Sequence, residues 1–156
     1  MPLSPSLPRQ ALFVSMLLYG AALLTKVFPG VLGAMALAYG WLEALYARRE
    51  VGVLVAFAWF ANPLLFATWL LVQRRAWRRA LATGVLTLLL ALGCLFGTHI
   101  VVSGSGAPQP MPALGLGYWL WIASGAVALA GALAGWLGAP ATAAATTAPT
   151  PDVRAG

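Results

Sequence analysis

LLFATWLLVQRRAWRRALATGVLTLLL, residues 64 to 90, decides the fold. Two apolar runs meet at RRAWRR, where four of the chain's nine Lys and Arg lie within six residues, Arg74 to Arg79. Arginines at that density between greasy segments mark a short loop on the cytoplasmic face of a membrane, beside anionic headgroups. Arg74, Arg75, Arg78 and Arg79 are therefore read as inner-face topology anchors, with Trp77 among them at the interface.

Composition agrees with that reading. The chain has 156 residues, 62% hydrophobic and 8% charged, with a mean hydropathy of +0.88. Soluble domains carry about a quarter charged residues. So few charges do not coat a water-facing surface of this length. The net charge of +6 follows largely from the arginine loop, so it points to topology rather than to nucleic acid. A single cysteine, Cys94, allows no disulfide within the chain, and no Cys/His pattern has zinc spacing. No cofactor is expected.

Working outward from the loop gives an all-α polytopic membrane bundle with four transmembrane helices and one interfacial helix. Residues 1–10, MPLSPSLPRQ, read as an irregular N-terminal tail. The bundle covers 11–138, with spans at about 11–28, 51–72, 80–102 and 116–138. Each comes close to the roughly 20 residues needed to cross a hydrocarbon core of about 30 Å. Residues 139–156, rich in Ala, Thr and Pro, read as a disordered C-terminal tail. The first span has faint signal-peptide character, but its apolar run continues past the small residues at 20–22, so it reads as retained.

The stretch at about 31–47 is apolar enough to tempt a fifth crossing. It contains Glu43, with Tyr39, Trp41 and Tyr46 around it. Aromatics beside a carboxylate suit the membrane interface, so it is expected to lie at the outer surface or dip part-way in. Charge bias does not choose between four crossings with the N-terminus inside and five with it outside. Both leave six Lys and Arg on the inner side and three on the outer. Four crossings, with both termini cytoplasmic, is the expectation taken forward.

Three stretches, YGWLEAL (39–45), AWFANPLLFATWLL (58–71) and LGYWLWIASG (116–125), resemble a pattern in a family of small bacterial inner-membrane proteins. There a GWL-type segment precedes an AWxANPLL helix, a basic loop and a later GYWLW helix. The resemblance implies a four-helix fold in a bacterial inner membrane. It implies no activity.

Asn62-Pro63 falls near the middle of its span. Pro63 has no N–H, and its ring crowds the carbonyl of Trp59. That carbonyl loses its helical partner where no water replaces it. Trp59, Asn62 and Pro63 are thus a candidate midplane polar site. The expectation is a kink in which Asn62 bonds a freed carbonyl or a neighbouring helix; the sharper reading is a solute or ion site.

Lys26, Glu43 and His99 form a candidate polar cluster at the outer boundary. Gly93, Gly97, Ser124, Ala128, Gly131 and Gly135 have the small-residue spacing that lets helix backbones touch, within one chain or between copies. Tyr118, Trp119 and Trp121 read as an outer aromatic belt. With one His and three acids there is little footing for catalysis, and no catalytic or metal residue is nominated. The expectation is a non-enzymatic accessory or structural membrane protein. Its partners are the lipid bilayer and, beyond that, other membrane proteins or copies of itself. The alternative is a small oligomeric channel or transporter built on the Asn62-Pro63 kink.

Overall fold

The computed structural model describes residues 6–42, 53–100 and 109–146. The protein is mostly helical. In chain order come α1 (Leu7–Leu24), a hairpin of β1 (Lys26–Phe28) and β2 (Val31–Leu32), and α2 (Gly33–Tyr39). Then follow α3 (Val53–Ala58), α4 (Ala61–Gln73), α5 (Trp77–Leu92) and a 3-10 turn (Gly93–Phe96). Last come β3 (His99–Ile100), β4 (Gln109–Pro110) and α6 (Leu116–Thr146). Among the described residues, three segments are long and apolar enough to cross a membrane, Leu7–Leu24, Trp77–Phe96 and Leu116–Ala139; α4 is a shorter apolar helix.

Several boundaries differ from those expected. The first helix starts at Leu7, inside the expected tail, because Pro8 stands in the first turn, where its missing N–H costs nothing. It stops at Leu24 rather than 28: Thr25 is extended, and its hydroxyl donates to Ala21 O at 3.0 Å. The span expected at 51–72 is two helices, α3 and α4, broken at Trp59-Phe60. The third helix begins at Trp77, within the arginine loop, and gives way to 3-10 geometry at Gly93. The last helix continues past Gly138 to Thr146 rather than ending in a tail at 139; alanine, frequent there, is the best helix former.

The fold is also not purely helical. Lys26 pairs with Leu32 and Phe28 with Val31 across a turn at Pro29-Gly30, where Gly30 has φ of +81°. His99 pairs with Pro110 and Ile100 with Gln109. These small pairings satisfy backbone groups where the chain leaves the helices.

The most extensive interface joins α1 to α6, which run antiparallel. A Cβ at Gly131 would lie 2.8 Å from Ala11 Cβ, and one at Gly117 would lie 2.9 Å from Thr25 O, so the two backbones touch along their length. The core is layered: Ala58, Cys94 and Tyr118, then Tyr19, Leu65 and Ala128, then Val72, Ala80 and Ala132. Phe13, Leu17, Leu24, Leu89 and Leu137 are exposed. An apolar exterior of this kind is what lipid as solvent requires.

Two ends can be distinguished. At one, Gly131 meets Pro8 and Gly135 meets the ring of Trp77, so Arg9 and the arginine loop lie at the same end. At the other, Gly115 N–H donates to Val27 O at 2.7 Å and Met111 N–H to Thr98 O at 2.8 Å. From there α2 folds back against α1, and Leu37 packs on the Tyr19 layer. Within the expected interfacial stretch at 31–47, α2 occupies Gly33–Tyr39; residues 43–47 lie outside the described residues.

Candidate functional site

The break between α3 and α4 has a local cause. Pro63 offers no N–H to Trp59 O, and that carbonyl instead accepts from the backbone N–H of Asn62 at 3.0 Å and from Asn62 Nδ2 at 2.9 Å. Asn62 Oδ1 accepts from the Tyr19 hydroxyl on α1 at 3.0 Å. Trp59 Nε1 donates to Leu37 O on α2 at 2.8 Å, with Gly40 so close that a Cβ there would lie 2.7 Å from Trp59 Cδ1. Asn62 thus closes the break on one side and ties α4 to α1 on the other. At 1.5 Å per residue it stands about 17 Å from Gln73, near half the thickness of a hydrocarbon core.

A second polar knot lies nearer the arginine end. Ser15 and Ser124 are fully buried. The Ser15 hydroxyl donates to Ser124 O at 2.9 Å and lies 3.2 Å from Ser124 Oγ. It accepts from Trp69 Nε1 at 2.8 Å, so one small side chain joins α1, α4 and α6. Thr68 Oγ1 reaches Thr83 Oγ1 at 2.8 Å between α4 and α5. The Tyr118 hydroxyl donates to Ala91 O at 3.0 Å, between α6 and the last turn of α5. Among the described residues, no buried side-chain N or O lacks a hydrogen-bond partner.

The aromatic trio is therefore not a uniform belt. Tyr118 is buried and serves as an interhelical clasp, Trp121 packs in the core, and Trp119 is exposed. Successive helical residues point about 100° apart, so a run of aromatics at one depth faces different surroundings.

Lys26 and His99 are exposed at the same end of the bundle. His99 Nδ1 lies 3.1 Å from Thr98 Oγ1, and no hydrogen bond joins it to Lys26. Glu43 lies outside the described residues, as do Glu50 and Asp152.

The small residues are filled from within the chain. Gly93, Gly131 and Gly135 are buried, as are Ser124, Ala128 and Ala132. A Cβ at Gly97 would run into Val55, and one at Gly135 into the Trp77 ring.

At the arginine end, α4 closes with Arg75 N–H donating to Val72 O at 3.0 Å and Ala76 N–H to Leu71 O at 2.9 Å. This pair of bonds is a Schellman closure, which puts one residue into the left-handed region. That residue is Arg75, with φ of 56°, the sole non-glycine with positive φ among the described residues. A glycine would sit there more comfortably by about 1 kcal/mol. Arg75, Ala76, Trp77, Arg78, Arg79 and Trp136 line an open cleft of about 350 Å³; Arg74 is exposed outside it.

Tyr19, Ser15 and Trp69 carry interhelical bonds but are not singled out by sequence, and Tyr118 is singled out only as part of an aromatic belt. A partial signal exists: Ser15 and Tyr19 are four apart, on one face of α1. No protein-family model, curated protein or solved structure matches the chain.

Proposed function

We propose that the chain is a four-crossing integral protein of a bacterial inner membrane, with Arg9 and the arginine loop on the cytoplasmic side. Its role is non-enzymatic, that of an accessory or structural component. The crossings are α1, α3 with α4, α5 with its 3-10 turn, and α6. The shared end of Pro8 and Trp77 supports the count, because five crossings would put Arg9 and the loop on opposite faces. A cytoplasmic loop of four arginines supports the orientation.

One observation carries the role. Every buried polar side-chain atom among the described residues has a partner, and the bonds of Ser15, Asn62, Thr68 and Tyr118 run from helix to helix. A solute path needs polar groups that face one another across a lumen and remain free to exchange partners. Here those groups hold the bundle together.

The test is the native mass of the protein extracted into nanodiscs from its own cells, with companions identified. A reproducible complex with other proteins supports the accessory role and names the process it serves. A homo-oligomer without companions, conducting a solute and silenced by Asn62→Leu with its mass unchanged, would overturn it.

A further inference from the structure

The arginine cleft is more than a topology signal. The positive-inside rule asks only for cations near the end of a crossing, wherever their side chains point. Here Arg75, Arg78 and Arg79 line one open cleft together with Trp77 and Trp136. The Trp77 ring lies directly on the backbone of Gly135, where a Cβ would collide with it, so this wall of the cleft is held in place by α6. Among the described residues, those that line the cleft carry three cations and no acid.

We propose that this cleft binds the phosphate headgroup of one anionic glycerophospholipid of the surrounding membrane. Charge complementarity selects an anion, and guanidinium forks match phosphate oxygens. Position selects a lipid. Leu133 and Leu137 flank Trp136 and are exposed, and Ala126 and Ala130 continue that exposed face along α6 towards the middle of the bundle. A headgroup seated among the arginines has its acyl chains running over this stripe. Arginine at the left-handed position of the closure fits the same account, because Arg75 is one of the residues that line the cleft and glycine there would remove a cation from it. The inference needs a bilayer around the bundle but is independent of the accessory role.

The full chain in nanodiscs of mixed phosphatidylglycerol and phosphatidylcholine provides the test. Lipids retained on the protein after release are counted by native mass spectrometry. Arg75→Gly and Arg78→Gln are each expected to lower retention of phosphatidylglycerol relative to phosphatidylcholine about tenfold. Arg74→Gln removes the same charge outside the cleft and is expected to keep most of the preference. Arg75→Gly also relieves backbone strain, so its loss of lipid does not arise from unfolding. Equal losses for all three variants would overturn the proposal in favour of diffuse attraction. So would inorganic phosphate binding in phosphatidylcholine-only nanodiscs that Arg75→Gly and Arg78→Gln abolish, because the occupant would then be a soluble anion.

Discussion

Tyr19 on α1 donates its hydroxyl hydrogen to Asn62 Oδ1 on α4 at 3.0 Å, while the amide nitrogen of the same Asn62 caps Trp59 O at 2.9 Å. The two bonds are linked, because the second fixes the orientation in which Oδ1 faces Tyr19. Tyr19→Phe and Asn62→Leu should therefore be non-additive. The expected coupling is about 0.6 to 1.7 kcal/mol, the range for interhelical bonds in membranes. A double-mutant cycle by unfolding in mixed micelles measures it, and additive losses would show the bond to be idle.

Ser15→Ala removes the hydroxyl that both bonds Ser124 and accepts from Trp69 Nε1. It leaves a part-buried indole N–H without its acceptor and should cost about 1 kcal/mol. Trp69→Phe in the Ser15→Ala background should cost less than in the native chain, since there is then no N–H to leave unpaired. Unfolding midpoints of the four proteins report the difference.

Two glycines on the α1–α6 side should respond in opposite directions. A Cβ at Gly20 meets nothing within 4 Å, whereas one at Gly131 lies 2.8 Å from Ala11. Gly20→Ala should stabilise by up to about 1 kcal/mol through helix propensity. Gly131→Leu should destabilise by about 1 to 3 kcal/mol by forcing α1 and α6 apart. Thermal unfolding in detergent checks both signs.

Arg75→Gly should raise stability by about 1 kcal/mol, because glycine occupies the left-handed region without a Cβ penalty. An unchanged or lowered unfolding midpoint would show that Arg75 makes compensating contacts.

The threading predicts which cysteines label together. Gln10→Cys and Gln73→Cys should react with an impermeant maleimide only after the inner face is exposed, and Gln109→Cys should react from outside. Gln10 and Gln73 labelling from opposite sides would require a fifth crossing.

What was legible in the sequence is what acts locally. Pro63 breaks the hydrogen bond of Trp59 whatever surrounds it, and Asn62 stands next to the break, so the kink and its cap could be read from five letters. The Tyr19 end of that bond could not, because it depends on α1 lying beside α4. Tyr118 was misplaced for a related reason: position near the end of a span gives depth, whereas burial is set by the direction in which the side chain points. The spacing of the small residues at 97, 131 and 135 is visible in the sequence, but Val55, Pro8, Ala11 and Trp77 as their neighbours follow only from the tertiary arrangement.

The shortness of α4 bears on how the protein is made. Ala61–Gln73 reaches about 20 Å, some two thirds of a hydrocarbon core, and the closure at Arg75 ties it directly to α5. On the proposed threading, α4 is too short to cross alone and enters the membrane as the second half of a crossing begun by α3. Synthesis order then puts Tyr19 ahead of Asn62, so the donor of their bond is made before its acceptor.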